Sequence, residues 1–186
     1  MADYKNNADF QNWYKIIRKF EGGISDRPKN EDPGGLTNRG VTYKSYITEK
    51  WYKIVNKGTS IDEFLKLTED ETQKIAYEGI WKPYKIDLIN SPYKKILAMD
   101  SIWGGGGLRS LGVKNIAELN ATKLTDKQLI ENRWKYMKSL KNFEYNKNGW
   151  FNRLNGLLKI TSSDFTISMF MLLIASVLLF SVYTQK

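Results

Sequence analysis

Residues Lys19–Thr42 read KFEGGISDRPKNEDPGGLTNRGVT, the densest run of unusual residues in the chain. A single carboxylate, Glu21, closes an apolar-periodic segment, and glycine pairs, more acids and two threonines follow it. Upstream, Phe10, Trp13, Ile16, Ile17 and Phe20 recur at helical spacing, which predicts a helix running to Glu21 and stopped by Gly22–Gly23. Downstream, Ile24–Val41 is punctuated by Pro and Gly, so turns or a small hairpin are expected there.

Working outward, the pattern is mostly helical. Tyr43–Lys57 predicts a second helix ending at Gly58. Thr68 with Glu71 forms a capping box, opening a helix that must end near Pro83. Ser91–Pro92 starts a helix to about Trp103, where Gly104–Gly107 breaks it and reads as a mobile connector. Thr125 with Gln128 is a second capping box, for a helix through about Leu140, and Asn148–Lys159 predicts one more. The expected fold is mainly α, a globule with a small irregular or β lobe.

Composition narrows the chemistry. The 186 residues include neither cysteine nor histidine, which excludes disulfides, thiolate sites, imidazole catalysis and His-ligated metals. Proton transfer is left to carboxylates, lysine, tyrosine or water, and no cofactor or metal is expected. A net charge of +9, spread along the chain, favours a polyanionic partner, and no recognised nucleic-acid motif accompanies it. Residues 165–183, FTISMFMLLIASVLLFSVY, are uncharged and as a helix would span about 30 Å. They predict one C-terminal transmembrane helix, after a linker at 159–164 and before a tail at 184–186.

Glu21, at the edge of an apolar helix face, is expected to be partly desolvated, which would raise its pKa and suit it to protonate a leaving oxygen. The glycine-rich loop can bring Asp26, Glu31 or Asp32 across a cleft from it. The bland alternative is a solvated helix-end acid followed by an ordinary tight turn.

The run Glu21-Gly22-Gly23 … Asp32-Pro33-Gly34-Gly35-Leu36-Thr37-Asn38-Arg39-Gly40-Val41-Thr42 resembles the signature of glycoside hydrolase family 108. These are bacterial and phage N-acetylmuramidases of lysozyme-like fold. Lys74–Tyr84, Ala98–Gly107, Glu131–Leu140 and Asn148–Leu154 continue the resemblance in order. It implies an α+β lysozyme-like muramidase domain over 1–158, with Glu21 as catalytic acid and peptidoglycan glycan strands as substrate. It also implies that Asp32, or Thr37 and Thr42, guide the attacking water, with Asn38, Asp26 and Glu31 at the substrate. The sequence departs from the family pattern in having Phe20 where histidine is frequent, and in about two extra residues between Glu21 and Asp32. Asp100 and Arg153 read as structural, with Trp150 packing the domain together.

Combined with a membrane span, the resemblance implies a bacteriophage enzyme of the virion membrane or host inner membrane, in contact with lipid and other virion proteins. Two alternatives stay open: a lytic transglycosylase, and a non-enzymatic, basic, membrane-anchored structural protein of a virion.

Overall fold

The computed structural model describes residues 3–28, 31 and 34–160. Helix α1 (Asp3–Asn6) leads into α2 (Ala8–Ile17), whose Asn7 cap accepts the Phe10 N–H at 2.9 Å. α2 buries Phe10, Trp13 and Ile17 of the expected face, with Tyr14 beside them, while Ile16 is half-buried. It ends at Ile17, however, short of Glu21. The N–H groups of Phe20 and Glu21 both bond to the Ile17 carbonyl, closing a turn. That turn carries the Phe20 ring off α2 and onto Gly156, and so delivers Glu21 toward the C-terminal helix.

The glycine-rich run forms a three-stranded antiparallel sheet of β1 (Ile24–Ser25), β2 (Thr37–Asn38) and β3 (Val41–Thr42), in that order. Ile24 faces Asn38, which in turn faces Val41. The two-residue tip Arg39–Gly40 has positive φ at both positions (51° and 84°), the geometry that matches strand twist in a tight hairpin.

Thr42 caps α3 (Tyr43–Thr48). The single helix expected to Lys57 is instead broken at Lys50, whose φ is 57°, and resumes as α4 (Trp51–Ile54). The break lets Trp51 pack against both halves of the core. α5 (Ile61–Leu65) follows, then α6 (Glu69–Ala76), opened by the Thr68–Glu71 capping box. A π-helical turn (Tyr77–Trp81) ends this element before Pro83, and a 3-10 turn spans Ile86–Leu88. α7 (Pro92–Trp103) starts at the Ser91 cap with Pro92 in its first turn. A 3-10 turn (Leu108–Leu111), α8 (Ile116–Ala121) and α9 (Asp126–Lys138) come next, α9 with its Thr125–Gln128 capping box. A further helix, α10, occupies 143–160, starting earlier than Asn148 and running through the expected linker's first residues. Leu157, Leu158 and Ile160 are still packed on the core, which keeps the chain helical there.

The core has two parts. The larger includes Phe10, Trp13, Trp81, Leu97, Met99 and Leu157. The smaller gathers Val41, Tyr46, Phe64, Leu67 and Ile75 beneath the sheet. Trp103 touches both, at the seam between them.

The expectation of a transmembrane helix is corrected. Among the described residues no helix is long and apolar enough to cross a membrane. α10 is as long as a short span, but Lys147, Arg153 and Lys159 interrupt it with charge. The segment 165–183 and the tail 184–186 lie outside the described residues, as does most of the linker. The single-pass anchor, and the virion-membrane or inner-membrane location drawn from it, therefore have no helix among the described residues to rest on.

Candidate active site

Four elements converge on the Glu21 carboxyl: the turn after α2, the β2–β3 hairpin tip, the end of α7, and α10. On α7, Asp100 and Trp103 are three residues apart and so share a face. Trp103 Nε1 donates to Glu21 Oε1 at 3.1 Å, its indole braced edge-on by Trp13. From α10, Arg153 Nη1 donates to the same oxygen at 2.8 Å, while its Nε donates to Asp100 Oδ1 at 2.6 Å. Side-chain exposure is 14% for Glu21, 13% for Arg153 and 2% for Asp100, so this chain of charges is largely out of water.

The surroundings of Glu21 are therefore a guanidinium and an indole N–H rather than hydrocarbon alone, a correction to the expected apolar edge. Oε1 takes both donors. Oε2 receives none among the described residues and faces the hairpin tip. There a Cβ on Gly40 would fall 2.7 Å from Oε2 and 2.8 Å from Trp103 Nε1, so only glycine admits this approach.

Behind Arg153 lies a second buried cation. Arg133, on α9, is 1% exposed and donates through Nη1 to the carbonyl of Gly105 and to Ser110 Oγ. Its Nε is 4.0 Å from Asp100 Oδ2. Burial pushes the Arg133 pKa down, with the Asp100 charge acting against that. For Arg153 burial acts in the same direction, but Asp100 and Glu21 more than offset it and hold its pKa above the ordinary guanidinium value. Arg153 thus stays cationic, and Asp100 is the carboxylate that secures it. The Gly104–Gly107 connector is pinned by the Arg133 bond and by Gly107 N–H to the Ser101 carbonyl at 3.0 Å, where a mobile segment was expected.

The other expected site residues are placed as follows. Asn38 is 2% exposed, and its amide donates to the carbonyls of Phe64 and Leu65, tying the sheet to the end of α5. Thr42 Oγ1 caps α3, accepting the Ser45 N–H at 3.1 Å and donating to Ser45 Oγ at 2.9 Å. Thr37 donates to the Gly35 carbonyl at 2.9 Å. Asp26 is exposed just beyond β1. The Glu31 carbonyl accepts from the Asn142 and Asn146 side chains, docking that loop at the start of α10. Asp32 lies outside the described residues.

Of the expected set, the structure brings Glu21 into a built polar site, and it adds Trp103, Arg153, Asp100 and Gly40 there. Periodicity along the chain carried no signal for Arg153. Its helix face with Trp150 was legible, but not its partners 53 and 132 residues away.

No curated protein and no solved structure matches the chain. Residues 14–106, half of the chain and the half that holds Glu21, Gly40, Asp100 and Trp103, match the family model described as Glycosyl hydrolase 108. The chain therefore belongs to glycosyl hydrolase family 108 and is a glycoside hydrolase.

Proposed function

We propose that the protein cleaves peptidoglycan as an N-acetylmuramidase, hydrolysing the MurNAc-β-1,4-GlcNAc bond with Glu21 as general acid. The observation that carries this reading is the Glu21 carboxyl, gripped through one oxygen by Trp103 and Arg153 at the seam of the two core parts. With Oε1 engaged by two donors, the proton for transfer resides on Oε2. It passes to the glycosidic oxygen as the C1–O bond breaks, water adds at C1, and the proton that water sheds goes to solvent, from which Glu21 is protonated again. Glu21 becomes a carboxylate in that step, and the Arg153 guanidinium is already placed to stabilise the charge that develops. Arg153 is paired with Asp100 as well, so its charge does not depend on Glu21 alone.

One geometric feature favours a lytic transglycosylase as the second reading. Asp100, the carboxylate nearest to Glu21 through this network, is buried behind Arg153 and does not face a substrate. A single acid suffices for a transglycosylase, which forms a 1,6-anhydro ring. Digesting purified sacculi and weighing the released muropeptides tests the reading. Hydrolysis gives reducing muramic acid ends. Anhydro ends throughout would establish the transglycosylase, and uncut strands would end both readings.

Replacing Gly40 by Ala places a methyl group against Oε2 and forces a left-handed alanine. Misplacing a reacting group by about 1 Å costs on the order of a hundredfold in rate, and a loss of that size is expected here. The αL backbone itself costs only about 1–2 kcal/mol, so the variant should remain folded. Unimpaired cleavage of sacculi by this variant would show that the hairpin tip does not confine the acid.

A further inference from the structure

A second recess lies beyond the Gly104–Gly107 connector. It is a groove of about 640 Å³ between the chain around the Ile86–Leu88 turn and the start of α8. Tyr84 and Leu88 line it although 51% and 61% exposed, beside the half-buried Ile116. Large apolar side chains left this open, next to one another, are what a binding surface retains.

The groove is also one-sidedly charged. Lys85, Arg109 and Lys114 line it and no carboxylate does. Elsewhere lysines find acids, as Lys82 does with Glu78 and Asp3, and Lys95 with Asp9. Among the described residues none of the three groove side chains forms an ion pair, although the Lys114 N–H donates to the Glu118 carboxylate at 2.8 Å. Lys85 is held at φ 55°, in the left-handed region that residues other than glycine rarely adopt. Strain of this kind persists where surrounding structure fixes it, and it clusters at ligand sites.

Uncharged sugar rings need neither the cations nor the open leucine. A short peptide carrying several carboxylates between small apolar side chains uses both. Gly106 and Gly107 form part of the groove wall, and Trp103, on the same stretch of chain, holds Glu21. The groove wall thus begins three residues along the chain from the indole that holds Glu21.

We propose that this groove binds the acidic peptide stem borne by the glycan strand. The inference rests on the peptidoglycan reading above and adds to it a second point of substrate recognition.

The test titrates the full chain with a synthetic muramoyl pentapeptide bearing free carboxylates, a probe without the scissile bond, and follows amide shifts by NMR. Saturable shifts at Leu88, Ile116 and the Gly106–Gly107 backbone are expected. Each charge reversal, Lys85→Glu or Lys114→Glu, should weaken binding by roughly tenfold, as befits loss and inversion of one partly shielded contact. On sacculi against strands stripped of peptide by an amidase, the same variants should lower the preference for peptide-bearing strands by a similar factor. No saturation at millimolar peptide, or binding indifferent to both reversals, would overturn the proposal. So would equal binding of a glycerol-phosphate polymer, which would make the groove a general polyanion site. Failure of the glycosidase reading would appear separately, as absence of cleavage on both kinds of strand, because the titration needs no catalysis.

Discussion

Replacing Glu21 by Gln is expected to lower peptidoglycan cleavage by roughly 10²–10⁴-fold, the range over which a positioned acid contributes. The substitution is nearly isosteric. Its amide oxygen can still accept from Trp103 Nε1 and Arg153 Nη1, the two donors on Oε1. What is lost is the transferable proton on the other atom, beside Gly40. Arg153 retains Asp100 as counter-ion, so thermal stability should shift little. Turnover measured by reducing-end release, with binding to sacculi followed in parallel, separates the cases. A fall in kcat with binding intact marks the acid, whereas wild-type turnover would remove Glu21 from the chemistry.

The second large effect falls on stability. Asp100→Asn removes the charge that faces both Arg153 and Arg133 while keeping the volume. Asp100 and Arg133 are each 1% exposed, and the Arg153 side chain is 13% exposed. Removing one partner from a buried ion pair costs about 3–5 kcal/mol, because the remaining charge is stranded out of water. For a chain of this size that is a drop on the order of 10 °C in Tm. A calorimetric scan checks it. A loss below about 1 kcal/mol would mean that water, rather than Asp100, compensates the guanidinium groups.

The contrast between these residues shows what the chain discloses before it folds. Capping boxes at Thr68 and Thr125, and the Ser91–Pro92 start of α7, rest on groups three residues apart, and each was legible. The end of α2 and the break at Lys50 were not, because tertiary packing decides them. Phe20 leaves its helix to meet Gly156, and Trp51 turns to reach both parts of the core. Glu21 stood out only through the family signature. Its neighbours were hidden by distance along the chain, since Arg153 and Trp103 carry no local pattern that points to a carboxylate. The bonds that the signature's polar residues make within the fold were hidden as well. Asn38 and Thr42 brace the sheet and cap α3, tasks that the short strands themselves require. The uncharged segment at 165–183 satisfies a length and hydropathy criterion, yet the membrane anchor drawn from it finds no helix among the described residues.

The Arg153 contact also carries a schedule. Glu21 leaves the ribosome 132 residues ahead of the arginine that grips it. At about 5–20 residues per second, some 7–26 seconds separate the two, during which the carboxyl lacks the guanidinium that grips its Oε1. A wall-cutting site assembled this way stays unfinished throughout most of its own synthesis. A chain cut short before α10 would carry the family signature and lack the finished grip.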